Sequence, residues 1–259
     1  MSAPLVSLLS DFGHRDWYVG AMKAVLASLA PRVPVVDLSH GVPPHGVAAA
    51  AFVLEHNRAH FPDGTVHLCV VDPGVGGERG AVALRAHGQF FVGPDNGLFG
   101  TLAAAPDLLV VELDPLRVTD REPSCTFHGR DLFAPAAARL ARGEALENLG
   151  PPAAGLQPTP EWWRREGSDL VAEVLWVDRF GNLITGLPEA VLAEAGVAPV
   201  VEVGDRSLLG LQSTFSDVPR GEPLAYVGSS GTLEIAVREA SASRFLGCEV
   251  GDVLRVRPA

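Results

Sequence analysis

Residues 5–40 read LVSLLSDFGHRDWYVGAMKAVLASLAPRVPVVDLSH. An apolar run over 5–9 ends at Asp11, a helix-like pattern covers 17–29, and a second apolar run over 33–36 ends at Asp37 and His40. Strand, helix and strand in that order make a βαβ unit, whose strands lie parallel because the helix carries the chain back across the sheet. The pattern continues with a helical stretch at 47–60 and an apolar run at 66–71 that ends at Asp72. Asp11, Asp37 and Asp72 are therefore expected along one sheet edge, the side on which open parallel sheets bind their ligands. Short strand-like runs between 81 and 113 surround the turn-rich GPDNG of 93–97, and a helix over about 131–142 is expected to close this α/β domain.

The texture changes further on. Runs rich in β-formers at 170–177, 200–203, 223–227, 232–237 and 253–256, separated by turn residues, predict a small antiparallel barrel or sandwich. A proline-rich stretch between the two halves reads as a linker. The expected organisation is thus α/β: a parallel-rich, helix-flanked N-terminal domain over 1–155, a linker over 156–169 and a smaller antiparallel β-barrel domain over 170–259.

Composition narrows the function. With 47% hydrophobic and 20% charged residues, the 259-residue chain has the make-up of a folded soluble protein. A net charge of −11 repels phosphate backbones, so nucleic acid is an unsuitable partner and a small cation a suitable one. No apolar run approaches the roughly 18 residues of a membrane span, and the first residues lack the basic start of a secretory signal. A cytoplasmic location without membrane partners is expected. Cys69, Cys125 and Cys248 are odd in number, lack CxxC spacing and read as reduced structural thiols.

The strand-end loops carry the chemistry. DFG followed directly by HRD, residues 11–16, has the wrong order and spacing for a kinase, and no glycine-rich loop precedes it. Asp11 and Asp16 share one strand-to-helix turn, where carboxylates can accept hydrogen bonds from ribose hydroxyls or an ammonium group. VVDPGVGGERG, residues 70–80, is followed by a strand-like segment, which argues against a dinucleotide fingerprint. Its glycines allow a loop that swings Arg79 back toward Asp72. In FHGRD, residues 127–131, His128 stands where an imidazole can join that pair. The amide of Asn182 in DRFGN offers both donors and acceptors to a base edge, and Ser229 and Ser230 in GSSG, with free backbone N–H groups, suit a carboxylate. His40, His45 and His128 show no metal-ligand spacing, so no metal site is expected.

Taken in order, SDFGHRDWYVGAMK, VVDPGVGG with Arg79, GPDNGLF, TFHGRD, DRFGNLITG and GSSGTLEIAV make a set that resembles the adenosine-forming S-adenosylmethionine hydrolases, also called hydroxide adenosyltransferases, relatives of fluorinase and chlorinase. The resemblance spans essentially the whole chain. It implies S-adenosyl-L-methionine as substrate, with no separate cofactor, adenosine and L-methionine as products, and a homotrimer whose sites lie between the N-terminal domain of one subunit and the C-terminal domain of the next. By position it assigns ribose binding to Asp11, the methionine end to Asp16 and Ser229, adenine and amino-acid contacts to Asp178 and Asn182, and catalysis to Asp72, Arg79 and His128. Where the halogenases carry an aromatic residue and a halide-binding serine, this chain has Asp72 and Gly129, which favours water as nucleophile. His45 stands where they stack an aromatic ring. His128 is the first choice for the water's proton, with Asp72 and Arg79 orienting; in the alternative, the three groups together lower the water's effective pKa and none is the base. A halogenase, a metal-dependent hydrolase and a non-catalytic S-adenosylmethionine sensor remain open readings.

Overall fold

The computed structural model describes residues 5–196 and 198–258. The chain divides into two compact units, Met1–Pro160 and Glu161–Ala259.

The first unit is built on β1 (Val6–Ser10), β2 (Val35–Ser39), β3 (Val66–Val70), β4 (Gly80–Ala86), β5 (Gln89–Asp95) and β6 (Leu109–Glu112). They form one sheet in the order β2-β1-β3-β5-β4-β6. The pairs β1/β2, β1/β3 and β3/β5 are parallel, whereas β4 runs antiparallel to both β5 and β6. β1 and β3 are buried along their whole length, as central strands of a covered parallel sheet are. Two polar side chains inside this core satisfy each other: Ser7 Oγ lies 2.6 Å from His67 Nδ1. His67 also stacks on Phe91, and burial pushes its pKa down to about 4.

Helix α1 (Tyr18–Leu29) buries Val19, Met22 and Leu26, one stripe at helical spacing. It is followed by α2 (Val47–Asn57), a one-turn α3 (Pro115–Val118) and α4 (Ala134–Ala141). The alanines of α4 are buried, and such short side chains let a helix approach its neighbours closely. The helix expected over 131–142 starts earlier and differently: Gly129–Phe133 form a wide π-turn that runs into α4. Two details depart from the reading of the sequence. Asp37 lies within β2, paired with Leu8, and not at its tip. Gly93–Asp95 of the GPDNG stretch belong to β5; Gly93 is there because a Cβ would meet the Cys69 carbonyl oxygen at 2.2 Å.

The second unit holds β7 (Trp163–Glu166), β8 (Asp169–Val177), β9 (Leu183–Pro188), β10 (Val200–Val203), β11 (Arg206–Leu209), β12 (Pro223–Val227), β13 (Thr232–Val237) and β14 (Val253–Arg257), with α5 (Glu189–Leu192) and α6 (Ala242–Leu246) between strands. The sheet order is β11-β10-β14-β8-β9-β13-β12, with β7 paired to β8. A bridge from Gln212 to Tyr226 brings the two ends of the order together in a nearly closed antiparallel barrel. Its core includes Leu170, Val174, Leu183, Ile235 and Val256. β7 falls inside the 156–169 stretch, while residues 151–159 lie along the first unit, where Ala153 N–H donates to Val110 O (2.9 Å) and Thr159 Oγ1 to Gly97 O (2.7 Å). All three cysteines are free; Cys69 and Cys248 are buried, but Cys125 is exposed and so is not the structural thiol expected of it.

Candidate active site

Parallel pairing sets Ser10 of β1 beside Val70 of β3, so Asp11 and Asp72, which follow these residues at the strand ends, emerge on one edge. The loop after Asp72 turns back through Gly77 N–H to Gly74 O (3.0 Å). At Gly76, with φ +74°, a Cβ would lie 2.3 Å from the Cys125 carbonyl oxygen, so only glycine fits. That reversal returns Arg79 onto Asp72: Nε donates to Oδ1 at 2.9 Å and Nη2 to Oδ2 at 2.5 Å. The side chains are 11% and 6% exposed, and the guanidinium lies 5.3 Å from the centre of the Phe133 ring.

The π-turn presents His128 to this pair, with Nδ1 2.8 Å from Arg79 Nη2. A guanidinium has donors and no lone pair, so Nδ1 is the acceptor and neutral His128 carries its proton on Nε2. In this arrangement His128 offers a donor to a ligand and takes up a second proton only by losing Arg79. Burial and the Arg79 charge lower its pKa, against the smaller opposing pull of Asp72 and Asp131. The three residues that the sequence grouped as catalytic thus form one connected cluster.

Asp11 is half-buried, and its Oδ2 accepts His45 N–H at 2.9 Å. His45 has φ +65° and an exposed side chain, so its backbone, not its ring, engages Asp11. Asp16 is exposed beside Trp17, itself 71% exposed.

A separate cluster sits in the barrel unit. Asp178 Oδ1 accepts Phe180 N–H and Asn182 N–H, each at 2.9 Å, and Oδ2 accepts the Asn182 side-chain amide at 2.9 Å. One of the two amide N–H groups that the sequence reading offered to a base edge is therefore spent on Asp178. A cavity of about 1000 Å³ is lined by Asp178, Phe180, Asn182, Tyr226, Ser229 and Glu234, among others. Ser229 stands exposed at the β12–β13 turn, where Gly231 N–H donates to Gly228 O (3.0 Å) and Gly228 N–H to Thr232 O (3.0 Å). Those two amides are not available to a carboxylate, and Ser230 is half-buried and outside the cavity lining.

Sequence reasoning passed over Glu234, Tyr226 and Phe180. Tyr226 OH donates to Glu234 Oε2 at 2.5 Å. Glu234 is only 6% exposed, and its pKa is raised by burial and by Asp178, while the Tyr226 bond opposes the shift. The available signal was a lone glutamate within TLEIAV, every residue of which is buried. Phe180 is 78% exposed. Among the described residues no three His, Cys, Asp or Glu side chains could hold a metal ion together, and no helix is long and apolar enough to cross a membrane.

Known proteins resemble this chain over nearly its whole length. The (R)-S-adenosyl-L-methionine hydrolase of Thermus thermophilus is 46% identical, over 97% of this chain and 98% of its own. A fluorinase from Actinopolyspora mzabensis is 29% identical over 98% of this chain and 97% of its own. The crystal structure of an uncharacterized conserved protein from Thermotoga maritima superposes with a TM-score of 0.87 at 34% identity, covering 97% of this chain and 99% of that one. Residues 6–150 match the SAM hydroxide adenosyltransferase N-terminal domain and residues 172–255 the corresponding C-terminal domain, and the chain belongs to that family.

Proposed function

We propose that this protein hydrolyses S-adenosyl-L-methionine to adenosine and L-methionine by in-line attack of water on the ribose C5′. The relatives' name specifies the R epimer, and we assign this chain the same substrate. The observation that carries the reading is the cluster of Asp72, Arg79 and His128 at the strand edge. Sulfur leaves as neutral methionine, taking the C5′–S electron pair, so the reaction needs no general acid. The demanding part is a weak nucleophile that must be oriented near ~3 Å from C5′ and relieved of a proton as the bond forms.

His128 donates from Nε2 to the water oxygen, and Asp72 accepts a water proton through a lone pair that Arg79 leaves free. As the proton passes to Asp72 the water oxygen gains hydroxide character, which the Arg79 cation stabilises, and the C5′–O bond forms as C5′–S breaks; Asp72 then returns the proton to solvent. This departs from both readings of the sequence: the proton goes to Asp72 and not to His128, and one residue does act as the base, with Arg79 and His128 assisting it. A carboxylate at position 72 also repels halide, which favours hydrolysis over halogenation. Asp11 holds the ribose hydroxyls, Asp16 and Ser229 the methionine end, and the Asp178–Asn182 turn the adenine side. No metal or other cofactor takes part, and the protein works as a cytoplasmic homotrimer.

The test is incubation with each sulfonium epimer in EDTA, with and without excess chloride, and separation of products by liquid chromatography and mass spectrometry. Adenosine and methionine from the R epimer, lost in Asp72→Ala, are expected. A chlorinated nucleoside would make the protein a halogenase, and tightly bound, unchanged substrate would make it a sensor. Light scattering at three subunit masses is expected for the trimer; a monomer would refute it.

A further inference from the structure

Beneath the Asp11 loop runs a chain of hydrogen bonds that the reaction itself does not use. Lys23 Nζ on α1 donates to Asp37 Oδ2 at 2.6 Å, His40 Nε2 lies 3.0 Å from Asp37 Oδ1, and His40 Nδ1 lies 2.7 Å from Ser10 Oγ. Its protons have one consistent placement. Burial works against the Asp37 carboxylate, but the hydrogen bonds from Lys23 and His40 hold its pKa below the ordinary value, so it accepts from His40 Nε2–H. Burial keeps His40 neutral by lowering its pKa, against the pull of Asp37 and with small contributions from His14 and Lys23. Nδ1 is then a lone pair, and the Ser10 hydroxyl donates to it.

A Ser–His–Asp order invites a nucleophilic reading, but Ser10 is 0% exposed and His40 1%. No substrate reaches that hydroxyl. What the chain does touch is the backbone around Asp11. Ser10 Oγ accepts Phe12 N–H at 3.3 Å, closing a turn across Asp11, and the His40 carbonyl accepts Gly13 N–H at 2.8 Å. His40 therefore grips the loop on both sides of Asp11, by its ring at Ser10 and by its backbone at Gly13. The Asp11 carboxylate in turn holds His45 N–H.

We propose that His40, anchored by Asp37 and Lys23 and bonded to Ser10, is a positioning residue that fixes the Asp11 carboxylate for the ribose hydroxyls of the substrate. The identity of the ligand rests on the S-adenosylmethionine hydrolase reading; the bracing of the loop does not. The test therefore has two readouts in Ser10→Ala, His40→Ala and His40→Asn, whose side-chain carbonyl takes the place of Nδ1 as acceptor for Ser10. Amide hydrogen exchange at Gly13 and His45 is expected to quicken about tenfold in both alanine variants, the scale of one buried hydrogen bond, with the amides of β1 and β3 unchanged. KM for S-adenosyl-L-methionine is expected to rise about tenfold with kcat within about threefold, and His40→Asn should recover most of both effects.

Unchanged exchange in Ser10→Ala would overturn the bracing. Faster exchange with an unchanged KM, or a fall in kcat alone, would overturn its link to substrate binding. If wild-type protein turns over neither epimer, the hydrolase reading fails, and the exchange measurement still decides whether His40 holds the loop. Should His40→Ala fail to fold, Ser10→Ala carries the test, because it removes one buried oxygen and leaves the imidazole in place.

Discussion

Replacing His128 separates a hydrogen-bond donor from a base. Arg79 Nη2 occupies the Nδ1 lone pair at 2.8 Å, so in the proposed mechanism the imidazole meets the water through Nε2–H. Alanine removes that donor and also leaves an N–H of Arg79, a side chain 11% exposed, without its acceptor. One donor aimed at developing negative charge is worth about 10²–10³ in kcat, and an orphaned buried N–H costs about 1–3 kcal/mol of stability. Glutamine can set an N–H near the position of Nε2, so His128→Gln is expected to stay within about tenfold of wild type while His128→Ala falls by about 10²–10³. A general base behaves otherwise: both variants would lose about 10²–10⁴. The assay is initial-rate adenosine formation at saturating substrate, followed across pH. Because imidazolium cannot accept from Arg79, the wild-type rate should fall on the acid side, with the limb displaced below the ordinary imidazole range by burial and Arg79. That limb should vanish in His128→Gln. A glutamine variant as slow as the alanine one would refute the donor assignment.

Stability offers an independent check on His67, whose folded pKa of about 4 lies below its ordinary ~6.5. The unfolded chain binds the extra proton between these values, so the contribution is whole above pH ~6.5 and is lost as pH falls toward 4, about 3 kcal/mol in all; urea midpoints should drop across that window in wild type and less in His67→Gln, and equal slopes would refute it. In Gly228→Ala the new Cβ would lie 1.8 Å from Glu234 Oε1, so the carboxyl must leave its seat; about 1–3 kcal/mol of lost stability and a raised KM are expected, and a melting curve and KM identical to wild type would count against the barrel cavity as a substrate site. In Gly129→Ser the Cβ would crowd Met22 Sδ at 3.1 Å, with Phe127 and Val70 each at 3.3 Å. Calorimetry should show a loss of about 1–3 kcal/mol, and product analysis should show no halogenated nucleoside; a stable variant that uses chloride would contradict both the packing and the role given to Asp72.

The sheet was legible because parallel strands buried on both faces announce themselves as unbroken apolar runs, as at β1 and β3. β2 was legible too, but not the place of Asp37: strand ends are decided by hydrogen bonding, and β2 runs on to Ser39. The glycines before Arg79 declared a reversal, and the reversal placed the guanidinium. The partners of Asp178 were hidden, because an aspartate that caps its own turn through Phe180 and Asn182 has the same letters as one that grips a ligand. The Tyr226–Glu234 pair was hidden for a different reason: the strands β12 and β13 that bring the two residues together are close in sequence, but their cross-strand register depends on the turn between them.

With Asp72 in the proposed role, the choice between water and halide is tied to the stability of the fold. Asp11 and Asp72 are placed by neighbouring parallel strands, which hold them rigidly, whereas Arg79 and His128 reach the site on a glycine loop and a π-turn and are held there by side-chain bonds. Removing the Asp72 carboxylate to admit a halide would therefore also remove the counter-ion of a nearly buried guanidinium. Breaking one half of such a pair costs about 3–5 kcal/mol, and the freed Arg79 would release His128 in its turn. A single substitution at Asp72 thus dismantles the water site without assembling a halide site. Exchange of the nucleophile requires Arg79 and His128 to change with it, and Gly129 to find room against Met22.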